Sequence, residues 1–324
     1  MKPIKIYNDS NRFTVDWTIN TLCTYKCSYC HPSLHSGKNV FKDKETDKKT
    51  VLQFLTRLRD QIKGRPVHMW IGGGEPTISP VFETIIDFLD ENGWHMHLNT
   101  NCTRSMDWWE EYAKKIYKVT VSYHPEGTDT LIFDKVEYIS SQTNIGVFTL
   151  MYPPLWDNAV SAYYRFKNME RVTIAPSRVF RREIIGNNDI SYDYTEEQLQ
   201  WLQDHSEVIF RDGVKPENPN NRYGTTFVEY NDGTVKPLDE VEFTNSRKNK
   251  FAGWDCTMGV NHLFINKDWD IAESACTTAK FFSNVATFTE LPKKNVICAS
   301  EYCMCTADVM IPKQKHDSLF NKVY

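Results

Sequence analysis

The sequence predicts an α/β protein: a parallel sheet, either open or a partial barrel, followed by a smaller cysteine-bearing region built on hairpins. Three observations carry this expectation. From about residue 12 to 180, short apolar runs alternate with helical patterns; after about residue 185 the texture changes; and the nine cysteines fall into two groups, with Cys102 alone between them.

Strand patterns cover Phe13–Ile19, Val67–Ile71, His95–Asn99, Lys118–Ser122, Gly146–Met151 and Arg171–Ala175. Between them, Lys49–Lys63 and Val81–Asn92 repeat apolar residues at three- and four-residue intervals, as one face of a helix requires. The mixed-sign run Lys42–Lys49 suits the exposed start of the first of these helices. Tyr194–His205 predicts a further helix, with Thr195 as N-cap and acidic residues in its first turn. The Pro-, Asn- and Gly-rich stretch Gly213–Gly224 reads as a linker and divides the chain into 1–221 and 222–324. Beyond it, Thr225–Pro237 reads as a hairpin turning at Asn231-Asp232-Gly233, and His262–Ser274 as a second hairpin between Cys256 and Cys276.

A formal charge of −4 gives no electrostatic case for a nucleic-acid or membrane partner. No apolar stretch approaches the ~20 residues of a membrane span, and the first residues lack the apolar core of a secretory signal. The expected compartment is a reducing cytoplasm, where disulfides are rare and clustered cysteines point to metal.

Two metal readings compete for Cys23-x3-Cys27-x2-Cys30. Structural zinc wants four protein ligands, and His31, the neighbour of Cys30, could serve only if the chain folded back sharply. An iron–sulfur cluster held by three thiolates leaves one iron open, which suits chemistry. The second group, Cys256, Cys276, Cys298, Cys303 and Cys305, has five members where one site needs at most four. Cys256, Cys276 and Cys303 are the firmest ligands, Cys298 and Cys305 compete for the last place, and zinc or an iron–sulfur cluster would satisfy the set.

The C-x3-C-x-aromatic-C spacing, with Tyr29 at the aromatic position, resembles the radical S-adenosylmethionine (radical SAM) superfamily. Other strand ends agree. Gly72-Gly73-Gly74-Glu75-Pro76 is similar to the family's "GGEP" element beside the methionyl amino group, with Gly73, Gly74, Glu75 and Pro76 as cofactor contacts. Asn99-Thr100-Asn101 is similar to its "TNG" turn, with Cys102 in the glycine's place, and Ser122 and His124 end the next strand. The resemblance covers about residues 12–180 and implies a partial (β/α)6 barrel of the TIM type. It also implies a [4Fe–4S] cluster on Cys23, Cys27 and Cys30 that binds S-adenosylmethionine, with Tyr29, Asn99, Asn101, Ser122 and His124 near the cofactor. Plainer uses stand beside these: His124 as a core or rim histidine, Cys102 as a buried small hydrophobe rather than a hydrogen donor, and Arg178 as a surface ion-pair partner rather than a catalytic cation.

The C-terminal pattern W-x-C-x-x-G, then a hairpin, then C-x4-C-x-C, is similar to the Twitch domain, a short form of the SPASM extension that holds an auxiliary [4Fe–4S] cluster. Trp269-Asp270 stands where that family often has glycine. The resemblance implies reductive cleavage of S-adenosylmethionine and hydrogen abstraction from a small molecule, sugar or peptide, with a flavodoxin- or ferredoxin-like electron donor. Only about eleven residues precede the first strand, so a leader-recognition module is expected to be absent or supplied separately, and a small molecule or sugar derivative is favoured over a peptide. Epimerisation with a cysteine hydrogen donor, a non-catalytic iron–sulfur carrier and a zinc-stapled module are the alternatives.

Overall fold

The computed structural model describes residues 1–30, 37, 41, 43–127, 129–181, 190–205, 224–276, 278–303 and 306–315. It has two compact units. One comprises Trp17–Lys48 and Trp70–Lys215; the other comprises Met1–Asp16, Lys49–Met69 and Pro216–Tyr324. No helix among the described residues is long and apolar enough to cross a membrane.

The chain opens with β1 (Pro3–Asn8) and β2 (Phe13–Asn20). Strands and helices then alternate: α1 (Lys44–Gln61), β3 (Val67–Gly73), α2 (Phe82–Glu91), β4 (His95–Thr100), α3 (Met106–Tyr112), β5 (Lys118–Tyr123), α4 (Ile132–Gln142), β6 (Asn144–Met151), α5 (Trp156–Lys167) and β7 (Val172–Arg178). Every strand expected from the sequence up to β7 forms. The sheet of the unit that starts at Trp17 runs in chain order from β2 to β7, with β4 to β7 in parallel register, the architecture of a partial (β/α)6 barrel. One face is apolar. Met96, Leu98, Val119, Val121, Ile145, Val147, Val172 and Ile174 are buried, and α2, α4 and α5 pack on β4, β6 and β7. The other face alternates in period two and is polar or aromatic: His95, His97, Asn99, Lys118, Thr120, Ser122 and Phe148 are half-buried or exposed.

A short antiparallel pair follows, β8 (Phe180–Arg181) with β9 (Ile190–Ser191), then α6 (Glu196–Asp204). The expected Thr195 cap is present as a full capping box with Gln198. Apart from Gly224, the linker around the expected boundary lies outside the described residues.

The other unit adds β10 (Thr226–Tyr230), β11 (Val235–Pro237), α7 (Glu240–Asn245), β12 (Trp254–Cys256), β13 (His262–Ile265), β14 (Asp270–Ala272), β15 (Phe281–Asn284), β16 (Val296–Ile297), α8 (Thr306–Val309) and β17 (Lys313–Lys315). Both expected hairpins form, β10 with β11 and β13 with β14. Gly233 turns the first at φ 83°, where a side chain would be strained. Trp269 turns the second at φ 63°, the left-handed conformation that glycine adopts readily. A six-stranded sheet has the order β11-β10-β1-β17-β12-β16. β1, with only Ile6 fully buried, was not expected as a strand; its partners β10 and β17 lie at the far end of the chain, so no local turn announces it.

Candidate active site and second cysteine group

The exits of β2 and β3 are tied together through their backbones. The Gly74 amide donates to Asn20 O at 3.0 Å, and the Glu75 amide donates to Leu22 O at 2.6 Å. Gly73 is at φ 137°, and a Cβ there would sit 2.4 Å from Asn20 O, so only glycine permits this approach. Its exposed backbone and the cysteine loop thus leave the sheet side by side.

Glu75 is fully buried and turned inward. Its Oε1 accepts from Thr77 N (3.1 Å), Thr77 Oγ1 (2.6 Å) and Thr100 Oγ1 (2.8 Å), and its Oε2 accepts from Asn101 N (2.7 Å). Burial pushes this carboxyl up, and the four donors oppose that shift. The Glu75 side chain, expected as a cofactor contact, gives its two oxygens to Thr77, Thr100 and Asn101. Pro76, also buried, begins the short 3-10 turn that Glu75 caps.

Asn101 extends the chain of contacts. Its Nδ2 donates to Thr24 Oγ1 at 3.0 Å and toward Cys23 Sγ at 3.7 Å, and its Oδ1 accepts from Thr103 N and Oγ1 at 3.2 and 2.8 Å. On the opposite side of the loop, His124 Nδ1 lies 3.4 Å from Cys27 Sγ and 2.9 Å from the Tyr29 hydroxyl, with the Tyr29 and His124 rings stacked. Burial holds His124 near a pKa of about 4, so the ring is neutral at pH 7. Ser28, between the cysteines, gives its amide and hydroxyl to Glu126 at 2.7 and 2.8 Å. The Glu126 tie was not read from the sequence; Pro125-Glu126-Gly127, a turn directly after His124, was its only signal. Gly127 allows it, since a Cβ there would lie 2.9 Å from both His124 O and the Tyr25 ring.

The three thiols fit an iron–sulfur cluster. Cys23 and Cys30 are half-buried, Cys27 is buried, and two nitrogen groups stand at the sulfurs of Cys23 and Cys27. Burial pushes the Cys27 thiol up to about 11 and raises Cys23. Among the described residues no three His, Cys, Asp or Glu side chains converge on one ion. A cubane cluster does not ask for that, because each thiolate binds a different iron. His31 lies outside the described residues.

The remaining expected residues fall as follows. Asn99 and Ser122 are on the polar face of β4 and β5, with Asn99 beside Gly72. Arg178 ends β7, exposed, with its guanidinium 5.3 Å from the Tyr194 ring. Cys102 is wholly buried at φ 63°, in the left-handed region that glycine adopts readily, and burial drives its thiol far up. Its carbonyl accepts from Lys135 Nζ at 3.3 Å, and Lys135 pairs with Asp129 at 2.5 Å.

In the other unit, Cys256, Cys298 and Cys303 are buried and Cys276 is half-buried, while Cys305 lies outside the described residues. Cys298 N donates to Trp254 O at 2.8 Å, which sets Cys298 beside β12, and Asn249 pins Cys303 with hydrogen bonds of 2.9 and 2.8 Å. Burial pushes Cys303 up to about 12; Lys313 pulls it down, while Asp308, Cys276 and Cys256 add to the rise. Burial also raises Cys256, with Lys313 opposing and Cys298 adding. Cys298 thus acts on Cys256, and Cys276 and Cys256 act on Cys303, while among the described residues no three of these side chains converge on one ion.

Among curated proteins none matches this chain. Among solved structures it is similar to Streptococcus suis SuiB (TM-score 0.47, 14% identity, 84% of this chain and 63% of that one). It is also similar to anSMEcpe with bound AdoMet and Cp18Cys peptide (TM-score 0.46, 18% identity, 86% and 78%). The chain spans less than two thirds of the length of SuiB. The model of the radical SAM superfamily matches residues 17–138, which hold the cysteine loop, the Gly72–Pro76 turn, Asn101 and His124, so this segment is a radical SAM domain.

Proposed function

We propose that the chain is a radical SAM enzyme acting on a biosynthetic small molecule or peptide, with the substrate lying on the polar face of the barrel strands. When bound, the [4Fe–4S] cluster and S-adenosylmethionine supply a 5′-deoxyadenosyl radical that abstracts a hydrogen atom. The observation that carries this reading is the convergence of the Gly73 backbone, Asn101 and His124 on the cysteine loop. Cys23, Cys27 and Cys30 would hold the cluster, and the exposed glycine backbone would face the methionyl end of the cofactor. Asn101 and His124 orient the Cys23 and Cys27 sulfurs, while Glu75 and Glu126 fix the turns from which those contacts are made. Trp70 and His97, stacked at 4.1 Å on the polar face, and the exposed Phe148 would contact the substrate.

We further place an auxiliary [4Fe–4S] cluster among Cys256, Cys276, Cys298, Cys303 and Cys305 in a Twitch-like domain over 222–324, accepting an electron from the substrate radical. A flavodoxin- or ferredoxin-like protein would deliver the reducing electron. Anaerobic iron and sulfide content, with S-adenosylmethionine cleavage under dithionite, tests the reading on wild type and on Cys23/Cys27/Cys30→Ala. About eight irons falling to about four, with 5′-deoxyadenosine from wild type alone, is the expected result. Zinc in place of iron, or iron without cleavage, overturns it.

A further inference from the structure

Lys118 opens β5, at the end of the strand opposite to His124, which reaches the cysteine loop. Val119 and Val121 are buried on the helix side, so Lys118, Thr120 and Ser122 share the polar face. In register beside Lys118 stand His97 of β4 and Asn144 of β6, and His97 stacks on Trp70 at 4.1 Å.

A lysine that leaves water is normally paired. Lys118 is half-buried, yet among the described residues it makes no hydrogen bond and no ion pair. Burial alone acts on its ammonium and pulls its pKa down, with no neighbouring charge adding to that shift or opposing it. The side chains of Asn99, Thr120 and Ser122, on the same face, also have no hydrogen-bond partner among the described residues. Water can serve those three neutral groups. A partly desolvated ammonium gains most from an anion.

We propose that Lys118 is the anion subsite of the substrate-binding face: the substrate carries a carboxylate or a phosphate, which this ammonium binds, and the rest of the substrate runs along β5 past Thr120 toward Ser122. The inference deepens the proposed function and rests on its placing of the substrate on this face. It narrows the substrate to an acidic compound. It also sets a length, because Ser122 lies four residues beyond Lys118, roughly 13 Å of extended strand. A substrate that reaches from this anion site toward the cysteine loop is therefore elongated.

The test needs neither an identified substrate nor turnover. The full chain, reconstituted anaerobically, is acetylated briefly with an amine-reactive ester, and acetylation at each lysine is read by peptide mass spectrometry. Phenyl phosphate and benzoate are the probes, and benzyl alcohol is the uncharged control. A bound anion should slow acetylation of Lys118 about tenfold and leave the exposed Lys114 unchanged. Protection by phenyl phosphate alone identifies the acidic group as a phosphate, and protection by benzoate alone as a carboxylate. In Lys118→Met, calorimetry at low ionic strength should show the protecting anion binding about tenfold more weakly, while Lys118→Arg keeps the affinity. Should the methionine variant not fold, Lys118→Gln takes its place. Equal acetylation of Lys118 with and without both anions, equal protection by benzyl alcohol, or unchanged affinity without the lysine overturns the subsite. Failure of the radical SAM reading shows elsewhere, as iron without S-adenosylmethionine cleavage, and leaves the acetylation pattern unmoved.

Discussion

Asn101 gives its backbone amide to Glu75 at 2.7 Å and its side-chain amide toward the Cys23 sulfur at 3.7 Å. A buried carboxylate at the end of β3 thereby sets where a ligand of the first cysteine loop can lie, although the two never touch. Glu75 acts through another residue. In Glu75→Gln one acceptor oxygen becomes an NH2 group facing donors, so stability should fall by about 1–3 kcal/mol. The variant should also lose iron from the first site on gel filtration, while Asn101→Ala should lose iron with a smaller change in stability. Full iron retention in both would break the link.

Gly73→Ala forces a Cβ against Asn20 O in a backbone conformation that L residues rarely adopt. The expected cost is on the order of 1–3 kcal/mol in urea unfolding, with loss of S-adenosylmethionine binding by equilibrium dialysis. Gly72→Ala, whose nearest neighbour would be Asn99 at 3.8 Å, should fold and bind normally. Equal behaviour of the two variants contradicts the cradle.

Cluster retention should depend on pH in a defined direction. Burial raises the Cys27 thiol to about 11, so throughout the neutral range metal must displace a proton from it. Apparent affinity therefore rises with pH, by roughly tenfold per unit for each such thiol, until about pH 11. Chelator-driven iron loss from the first site should be faster at pH 6.5 than at pH 8.5. A flat profile across that window would show that the thiols are not protonated in the metal-free chain.

Cys102→Ala should leave 5′-deoxyadenosine formation and product identity unchanged, at a stability cost of about 1 kcal/mol for the vacated buried volume. Loss of an epimerised product in this variant, with hydrogen abstraction intact, would restore the thiol as a hydrogen donor.

The parallel strands were legible because each is a short apolar run with its own turn chemistry, and the cysteine loop because three thiols within eight residues have few uses. What stayed hidden was non-local. β1 takes β10 and β17 as neighbours from the other end of the chain, so no periodicity within Pro3–Asn8 marks it as an interior strand. Glu75 sits in a recognisable turn, yet only the fold shows that its carboxylate faces Thr77, Thr100 and Asn101 instead of solvent. Lys313, two residues before Lys315 in a polar stretch, reads in sequence as a surface residue, and becomes a core cation only once β17 is seated beside Cys256.

The place of β1 also fixes a timetable for synthesis. Pro3–Asn8 is made before the strands that flank it, which follow Gly224. At translation rates of 5–20 residues per second this leaves the segment unpaired for roughly 10–40 seconds on the ribosome. The sheet that presents Cys256 and Lys313 therefore closes only after β17 has been made, and an aggregation-suppressing factor acting on the unpaired β1 segment should raise the yield of folded protein.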